Sequence, residues 1–201
     1  MTTGGEQHFD AVVLANHAPD AASLVSTFDA ELARRMASIA YGMAATVSLG
    51  FRDNEIPHPM DGFGFVVPTI EGLSIVGCTF GHRKYRGRAP AGHALLRAFW
   101  ADAARELNDK EIVARTLRDL SKLLSITAAP IFGHVARWDN SMPRYAVGHL
   151  DLVASIERLV SGHNGLALAG NGYRGIGVPD CVQSGETVAE QLLDRFFPNP
   201  A

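Results

Sequence analysis

The segment Gly165–Val188 reads GLALAGNGYRGIGVPDCVQSGETV. It contains a short apolar run, a cluster of small residues, a proline followed by an acidic residue, and then a helical pattern. This order predicts a strand, a tight glycine turn and the start of a helix. Glycines let a ligand approach the backbone closely, and a helix start presents unpaired N–H groups with partial positive charge. The segment therefore predicts a turn suited to an anionic or polar ligand.

The composition is that of a folded domain without a membrane span. The chain has 201 residues, of which 47% are hydrophobic and 19% charged, and a net charge of −3. This charge gives no reason to expect a nucleic-acid partner. No apolar run approaches the roughly 20 residues of a spanning helix, and the N-terminus lacks the apolar core of a signal peptide. Cys78 and Cys181 are far apart in apolar contexts, so we expect no disulfide framework, a reducing compartment and a cytoplasmic location.

The motifs of metal and nucleophile chemistry do not occur in the sequence. It contains no H-E-x-x-H, C-x-x-C or EF-hand pattern, which leaves a metal site without support. It also contains no P-loop and no G-x-S-x-G, so neither Ser141 nor Ser184 is expected to be a nucleophile. His134 and His149 are expected to be structural histidines. We therefore predict no catalytic side chain, and chemistry carried by a cofactor if the chain takes part in a reaction.

The chain begins with a predicted strand and helix. Phe9–Ala15 is a β-branched and aliphatic run that predicts a buried, parallel strand. The residues that follow have helical spacing of apolar side chains, with Asp20 and Asp29 as candidate N-caps. A strand followed by a helix is the unit from which nucleotide-binding sheets are built, although no G-x-G-x-x-G precedes this strand.

The middle of the chain predicts an antiparallel sheet. Tyr41–Arg52 is a β-rich segment, and residues 63–68 and 73–80 form a predicted hairpin around the turn TIEG. Ala94–Phe99 is predicted to be a further strand of the same sheet. The most basic segment, His82–Arg88, has two interpretations: a solvated loop, or a cluster of positive charge near an anionic ligand.

The second half predicts a long helix and a return to the first sheet. Asn108–Ile126 has a capping pattern in Asn108 and Glu111. Ile131–Trp138 is a predicted strand, and a helix over roughly 149–161 precedes the glycine turn. The fold class is therefore α/β (mixed α+β). Residues 1–40 and 163–201 form part of a nucleotide-binding domain, and residues 41–162 form an inserted, mostly antiparallel domain with one long helix. The predicted apolar face of the helix over Asn108–Ile126 consists of Val113, Leu117, Leu120 and Leu124. The predicted apolar face of the helix that follows the glycine turn consists of Val178, Cys181, Gly185, Val188, Leu192 and Phe196.

Four stretches together resemble the protoporphyrinogen oxidase family of the flavin amine-oxidase superfamily. GLALAGNGYRGIGVPDCVQSG is similar to the C-terminal flavin-binding signature of that family. PHPMDGFGFVVP followed by LSIVGCTF resembles its substrate-domain hairpin, and RGRAPAGHALLRAF resembles the next strand. WDNSMPRYAVGH resembles a loop that approaches the flavin.

The resemblance implies an FAD-dependent oxidation of a porphyrinogen, either protoporphyrinogen IX or coproporphyrinogen III, to the porphyrin of haem biosynthesis. Hydride would pass to flavin N5, and oxygen would be the acceptor. The helix that starts near Val178 would point its positive end toward the flavin, an effect on the order of 1 kcal/mol. An amine-oxidase-like flavoprotein with another substrate is an alternative.

The resemblance also implies site residues. Val66, Thr79 and Phe99 would line the porphyrinogen pocket, although Thr79 departs from the leucine common in plant members. Their alternative role is ordinary sheet core, and that of Trp138 is a core or loop anchor. The implied flavin contacts are Trp138, Gly170, Asn171, Gly175, Ile176, Gly177 and Val178.

Three parts of the family pattern have no counterpart in the sequence. They are the N-terminal G-x-G-x-x-G that holds the FAD diphosphate, an arginine that pairs with a substrate propionate, and a helical membrane-binding region. The resemblance covers roughly the last two-fifths of a family member, so we expect a fragment, a split gene product or a degenerate copy. A missing N-terminal half or partner chain follows as an expectation, and peripheral membrane attachment would belong to the full-length family member.

Overall fold

The structure is a computed structural model that describes residues 7–197. The chain divides into two compact units, one formed by the residues up to Tyr41 together with those from Met142 onward, the other by Gly42–Ser141. In chain order the elements are β1 (Val12–Leu14), α1 (Ala18–Val25), α2 (Ala30–Ala37), β2 (Tyr41–Arg52), β3 (Gly64–Val66), β4 (Gly77–Phe80), α3 (Gly81–Lys84), β5 (His93–Trp100), α4 (Asp109–Leu124), β6 (Phe132–Pro143), α5 (His149–Val160), β7 (Leu166–Leu168) and α6 (Val178–Phe196).

The second boundary between the units differs from the predicted one. Residues 142–162, which contain α5, belong to the first unit rather than to the inserted one. The physical reason is the burial of α5, since Val153 and Ile156 are fully buried in the core that α1 and α2 form. The sequence predicted a helix over roughly 149–161, but it did not show which of the two cores that helix would join.

In the first unit β1 and β7 form a parallel pair in which Val13 lies opposite Ala167. This confirms that the chain returns to the strand with which it began. The prediction that this strand is buried is wrong, because Val12 is 48% exposed and Val13 41% exposed. Among the described residues the pair gains no third strand, and parallel sheets are normally covered on both faces.

Of the two N-caps predicted in the first unit, one is confirmed and one is wrong. Asp29 caps α2, and its carboxylate accepts the backbone N–H of Leu32 at 2.9 Å. Asp20 is not a cap, because α1 already begins at Ala18 and Asp20 lies inside its first turn. Pro19 sits at the start of the helix, where its missing N–H has no intrahelical partner to lose.

The second unit is a five-stranded sheet in the order β3-β4-β5-β2-β6. The pairs β3–β4, β4–β5 and β2–β5 are antiparallel, which confirms the predicted hairpin and the strand after it. Alternation along β5 buries Leu96, Ala98 and Trp100 on the core face. Cys78 lies on the same face, and burial raises the pKa of its thiol to about 12, as expected of an inert cysteine.

Helix α4 covers the core face of this sheet. Its capping box is formed as predicted, since Asn108 and Glu111 exchange side-chain and backbone hydrogen bonds of 3.1 and 2.9 Å. The buried side of the helix is centred on Ile112 and Leu120 rather than on Val113 and Leu117, which are only partly buried. The predicted face was therefore rotated relative to the observed one. Leu120 and Leu124 belong to both.

Two polar side chains of α4 are also buried, and both have partners. Thr116 accepts a hydrogen bond from the indole Nε1 of Trp100 at 2.9 Å. Asp119 accepts the backbone N–H groups of Ser74 and Ile75 at 2.7 and 3.2 Å. Buried polar groups remain compatible with a core when they are hydrogen-bonded in this way. The first contact joins the helix to β5, and the second joins it to the connection between β3 and β4.

Candidate functional site

The glycine turn connects β7 to α6 and spans Gly170–Gly177. Gly170 has φ of 112° and Gly175 has φ of 159°, values that side chains disfavour. A Cβ atom at Gly175 would lie only 2.6 Å from the side chain of Asp180. The turn therefore needs a glycine at this position for both conformation and space. The structure brings together the predicted flavin contacts Gly170, Asn171, Gly175, Ile176, Gly177 and Val178.

Two side chains hold the turn: Tyr145, which precedes α5, and His149, the first residue of α5. The hydroxyl of Tyr145 donates to the carbonyl oxygen of Asn171 at 2.6 Å and accepts the N–H of Gly175 at 2.8 Å. The Nε2 of His149 donates to the carbonyl oxygen of Tyr173 at 2.8 Å. The rings of Tyr145 and His149 stack at 3.8 Å between centroids. Three backbone groups of the turn are thus fixed by one stacked pair.

This pair was only half foreseen in the sequence. His149 was predicted to be structural, and its hydrogen bond to the turn confirms that. No role was predicted for Tyr145. The signal available was its position four residues before His149 in the WDNSMPRYAVGH stretch. Burial raises the pKa of the Tyr145 hydroxyl, so the group stays protonated at neutral pH and can keep both hydrogen bonds.

The turn also contains a glycine spacing that was not among the predicted motifs. Gly170, Gly172 and Gly175 follow the pattern G-x-G-x-x-G directly after a strand. In a diphosphate-binding turn this pattern opens a helix whose first N–H groups face the phosphates. Here α6 begins only at Val178. The N–H of Gly170 donates to Ser184 Oγ at 3.1 Å, so this amide and that of Gly175 are used within the chain.

At the start of α6, an acidic side chain already occupies part of the positive helix end. The N–H of Gly177 donates to the carboxylate of Asp180 at 3.0 Å, which satisfies one of the unpaired amides. The carboxylate also places a negative charge within the first turn, where it opposes the partial positive charge of the helix. Any stabilisation of a negatively charged ligand by this helix end is reduced accordingly.

The three predicted substrate residues share one face of the second unit's sheet. Val66 lies opposite Gly77, and Gly77 lies opposite Phe99, so these residues form one row across β3, β4 and β5. Thr79 lies on the same face because it is two residues from Gly77 along β4. Val66 is 85% exposed and Phe99 38% exposed. These side chains therefore belong to the face opposite the core, and the alternative of ordinary sheet core is wrong for Val66 and Phe99.

Gly77 leaves a gap between the side chains of Val66 and Phe99. A Cβ atom at Gly77 would lie 2.8 Å from the carbonyl oxygen of Phe65, so the neighbouring strand excludes a side chain there. The row consequently has two exposed apolar side chains flanking bare backbone. Such a surface can receive a flat apolar ligand, with the ring of Phe99 available for stacking.

Trp138 lies on β6, also in the second unit, and is 47% exposed. Its alternative role as a core anchor is therefore wrong. Phe132 packs next to Gly50, whereas Val135 packs against the core cluster. Alternation along β6 puts Trp138 on the face of Phe132 rather than on the face of Val135. The carbonyl oxygen of Trp138 accepts the hydroxyl of Ser141 at 3.0 Å.

Two further surfaces among the described residues are a basic segment and a cavity. The basic segment His82–Arg88 overlaps α3, which packs on β5. Its Lys84 and Arg88 lie 5.4 and 5.6 Å from the ring centroid of Tyr85. In the first unit a cavity of about 680 Å³ lies between α5, β7 and α6. Within residues 7–197 no group of His, Cys, Asp and Glu side chains could hold a metal ion. No helix in that range is both long and apolar enough to cross a bilayer.

Comparison with known proteins agrees with this architecture. Coproporphyrinogen III oxidase of Bacillus subtilis is 34% identical over 158 residues, which cover 76% of this chain and 34% of that protein. Coproporphyrinogen III oxidase of Mycobacterium bovis is 32% identical over 199 residues, 96% of this chain and 42% of that protein. The crystal structure described as "Putative protoporphyrinogen oxidase from Exiguobacterium sp. 255-15" superposes with a TM-score of 0.81 and 31% identity, covering 96% of this chain and 43% of that one.

The chain therefore spans about a third to two-fifths of the length of these relatives. The family described as "Flavin containing amine oxidoreductase" matches residues 1–193, nearly the whole chain. That match agrees with the mixed fold of a parallel strand pair with helices and an inserted antiparallel sheet. The chain belongs to the flavin-containing amine oxidoreductase family.

Proposed function

We propose that this chain forms part of an FAD-dependent porphyrinogen oxidase and supplies its substrate-binding face and one flavin-contacting turn. The reaction would convert coproporphyrinogen III or protoporphyrinogen IX to the corresponding porphyrin. The observation that carries this proposal is the row of Val66, Gly77 and Phe99, which offers apolar side chains around bare backbone on the exposed face of the sheet. The names of the relatives support the substrate class.

A bound flavin would supply the hydride acceptor. The chain's own part would be binding and orientation. Gly170–Val178 would contact the isoalloxazine with backbone whose shape is fixed by Tyr145 and His149. Phe99 would stack on one ring of the macrocycle, and Val66 and Thr79 would exclude water beside it.

A second candidate function is a non-catalytic role, as a remnant or as a subunit that needs a separate partner chain. The observation that favours it lies in the first unit. Helix α6 has 19 residues and none of them is buried, although the helix carries an apolar face. Parallel strands and amphipathic helices normally bury such surfaces against further layers of a domain. A missing N-terminal half, or a partner that replaces it, would cover them.

An amine as the substrate has less support from the surface charge. An ammonium group would be recognised by carboxylates or an aromatic cage. Strands β2–β5 contain no Asp or Glu, and their charged side chains are the cations Arg52 and Arg97. The candidate face is therefore better suited to an anionic substrate than to a cationic one.

Binding of the product porphyrin tests the proposed function directly. Coproporphyrin III would be titrated into the 201-residue chain, with quenching of porphyrin or tryptophan fluorescence as the signal. We expect Phe99→Ala to weaken binding about tenfold, the effect of losing an aromatic stacking contact. The matched control is Ile70→Ala, which removes an apolar side chain that is 92% exposed and lies outside the sheet.

Two outcomes contradict the proposal. One is the absence of porphyrin binding by the unmodified chain, and the other is an equal effect of Phe99→Ala and Ile70→Ala. Turnover is tested separately, by coexpressing the chain with the part of the Bacillus subtilis relative that it does not match. Porphyrin fluorescence that develops from coproporphyrinogen III only when both chains are present supports the subunit form of the proposal.

A further inference from the structure

Arg97 lies on the candidate substrate face, although it was not among the predicted substrate residues. It is two residues before Phe99 on β5, so both side chains leave the same face of the sheet about 6.6 Å apart along the strand. Across the strands Arg97 lies opposite Thr79 on one side and opposite Ser48 on the other. It therefore occupies the row next to that of Val66, Gly77 and Phe99.

The side chain of Arg97 is exposed, and one of its nitrogens is fixed. Its Nε donates to the hydroxyl of Ser48 at 3.3 Å. No carboxylate within residues 7–197 forms an ion pair with it. The hydrogen bond to Ser48 leaves the two terminal nitrogens of the guanidinium group for an external acceptor. A planar fork of this kind matches the two oxygens of a carboxylate.

The charge of the neighbouring strands points to the same ligand chemistry. Among Asp, Glu, Lys and Arg, strands β2–β5 carry only Arg52 and Arg97, and both are cations. Arg52 lies opposite His93 at the other end of the β2–β5 pair from Phe99. Arg97 is thus the charged side chain nearest in register to Phe99 and Thr79. An anionic group is attracted to this part of the face without competition from an acidic side chain of these strands.

We propose that Arg97 binds a peripheral carboxylate of the macrocycle that lies on Phe99 and the Gly77 gap. The inference rests on the proposed function, since it concerns the orientation of that ligand on the same face. The macrocycle is apolar and flat, whereas its carboxylate arms extend from the rim by a short flexible chain. A cation one row away from the stacking ring suits such an arm.

The experiment compares a porphyrin with its uncharged ester. Coproporphyrin III and its tetramethyl ester are titrated into the 201-residue chain, and binding is followed by fluorescence. We expect Arg97→Gln to weaken binding of the acid about tenfold and to leave the ester unchanged. Arg97→Lys should recover part of the affinity for the acid, because it retains the charge but not the fork.

The matched control is Arg115→Gln, which removes an exposed arginine from α4, the helix on the core face of the sheet. It should change neither affinity. Equal affinities of Arg97→Gln and Arg115→Gln for the acid, with Phe99→Ala weakening both ligands, would overturn the role of Arg97 and leave the proposed function intact. If the unmodified chain binds neither ligand, both the role of Arg97 and the proposed function fail.

Discussion

Tyr145 shows how a single hydroxyl can determine the shape of a turn. It joins the carbonyl oxygen of Asn171 to the N–H of Gly175 and so closes the loop across four residues. We expect Tyr145→Phe to lower the free energy of unfolding by about 1–3 kcal/mol, because two hydrogen bonds of about 0.5–1.5 kcal/mol each are lost. The ring stack on His149 is retained in this variant. Urea unfolding of the full chain measures the change.

Tyr173 offers a matched control within the same turn. Its hydroxyl is buried and has no hydrogen-bond partner in the structure, and burial raises its pKa. An unsatisfied buried polar group is costly, so Tyr173→Phe should leave the free energy of unfolding unchanged or raise it. Should Tyr173→Phe destabilise the chain as much as Tyr145→Phe does, the assigned hydrogen bonds of Tyr145 do not hold the turn.

The glycine turn marks what the sequence reveals at the scale of residues. The turn was predictable from its glycines, and Gly170 and Gly175 do adopt backbone angles that favour glycine. The side chains that hold it were not, since Tyr145 lies 26 residues before Asn171 and no short-range pattern joins them. Arg97 was missed for a similar reason. Its nearness to Phe99 follows from strand alternation, but its exposure depends on which face the core takes.

At the scale of elements, helix α2 depends on its cap. Hydrogen bonds from the N–H of Leu32 and from His163 lower the pKa of Asp29 below its usual value of 3.8. A carboxyl whose pKa is lowered in the folded state adds stability above its unfolded pKa, and that stability is lost as the pH falls through the folded value. Asp29→Ala should therefore destabilise the chain at neutral pH, and its difference from the unmodified chain should narrow below about pH 3.8.

Denaturation midpoints at neutral and acidic pH test this prediction. Asp20→Ala is the control, since Asp20 is an exposed acidic residue in the first turn of α1 and does not cap it. It should show a small effect at every pH. A gap between Asp29→Ala and the unmodified chain that stays constant from neutral to acidic pH would show that the charge of Asp29 does not stabilise the helix.

Helix α4 depends on a buried carboxylate. Asp119 is 1% exposed and accepts the N–H groups of Ser74 and Ile75. We expect Asp119→Ala to cost about 2–4 kcal/mol in unfolding free energy, because two backbone donors lose their acceptor, and Asp119→Asn to cost less. The exposed Arg118 lies 4.0 Å from this carboxylate, and Arg118→Ala should cost under about 1 kcal/mol. Equal losses for Asp119→Ala and Arg118→Ala in urea unfolding would contradict this ranking.

The elements differ in how far local patterns determine them. β2 has its predicted bounds, and α4 begins at its predicted cap, because alternation and capping chemistry are local signals. The buried carboxylate of α4 was unpredictable, since its partners lie 44 and 45 residues away. The apolar pattern of α6 did predict a helix, but periodicity alone does not show what buries its face.

At the scale of the whole molecule, each unit has its own core, and the two differ in how far their apolar surfaces are buried. The second unit has a five-stranded sheet covered by α4 on one face. The first unit has a two-stranded parallel pair with exposed valines and a helix α6 without a buried residue. The resemblance covers roughly the last two-fifths of a family member, and a further part that would complete the first unit stays an expectation from that resemblance.

The two turns of the first unit determine the affinity for FAD that we expect. The turn after β1, residues 15–17, contains no glycine, and in the turn after β7 the amides of Gly170, Gly175 and Gly177 donate within the chain. Neither turn therefore provides a cradle for a diphosphate. We expect the 201-residue chain to bind FAD with a dissociation constant above about 0.1 mM. Riboflavin should bind equally well, because only the isoalloxazine would be contacted.

Fluorescence titrations of FAD and riboflavin measure both affinities. Gly175→Ala should abolish the residual binding of both flavins, since its Cβ would meet Asp180 and distort the turn. Ser161→Ala, an exposed change at the end of α5, should leave both affinities unchanged. A chain that purifies with tightly bound yellow FAD, or that prefers FAD to riboflavin more than about tenfold, would mean that these residues do hold the diphosphate. In that case the amides now donating to Ser184, Tyr145 and Asp180 would have to be released on binding.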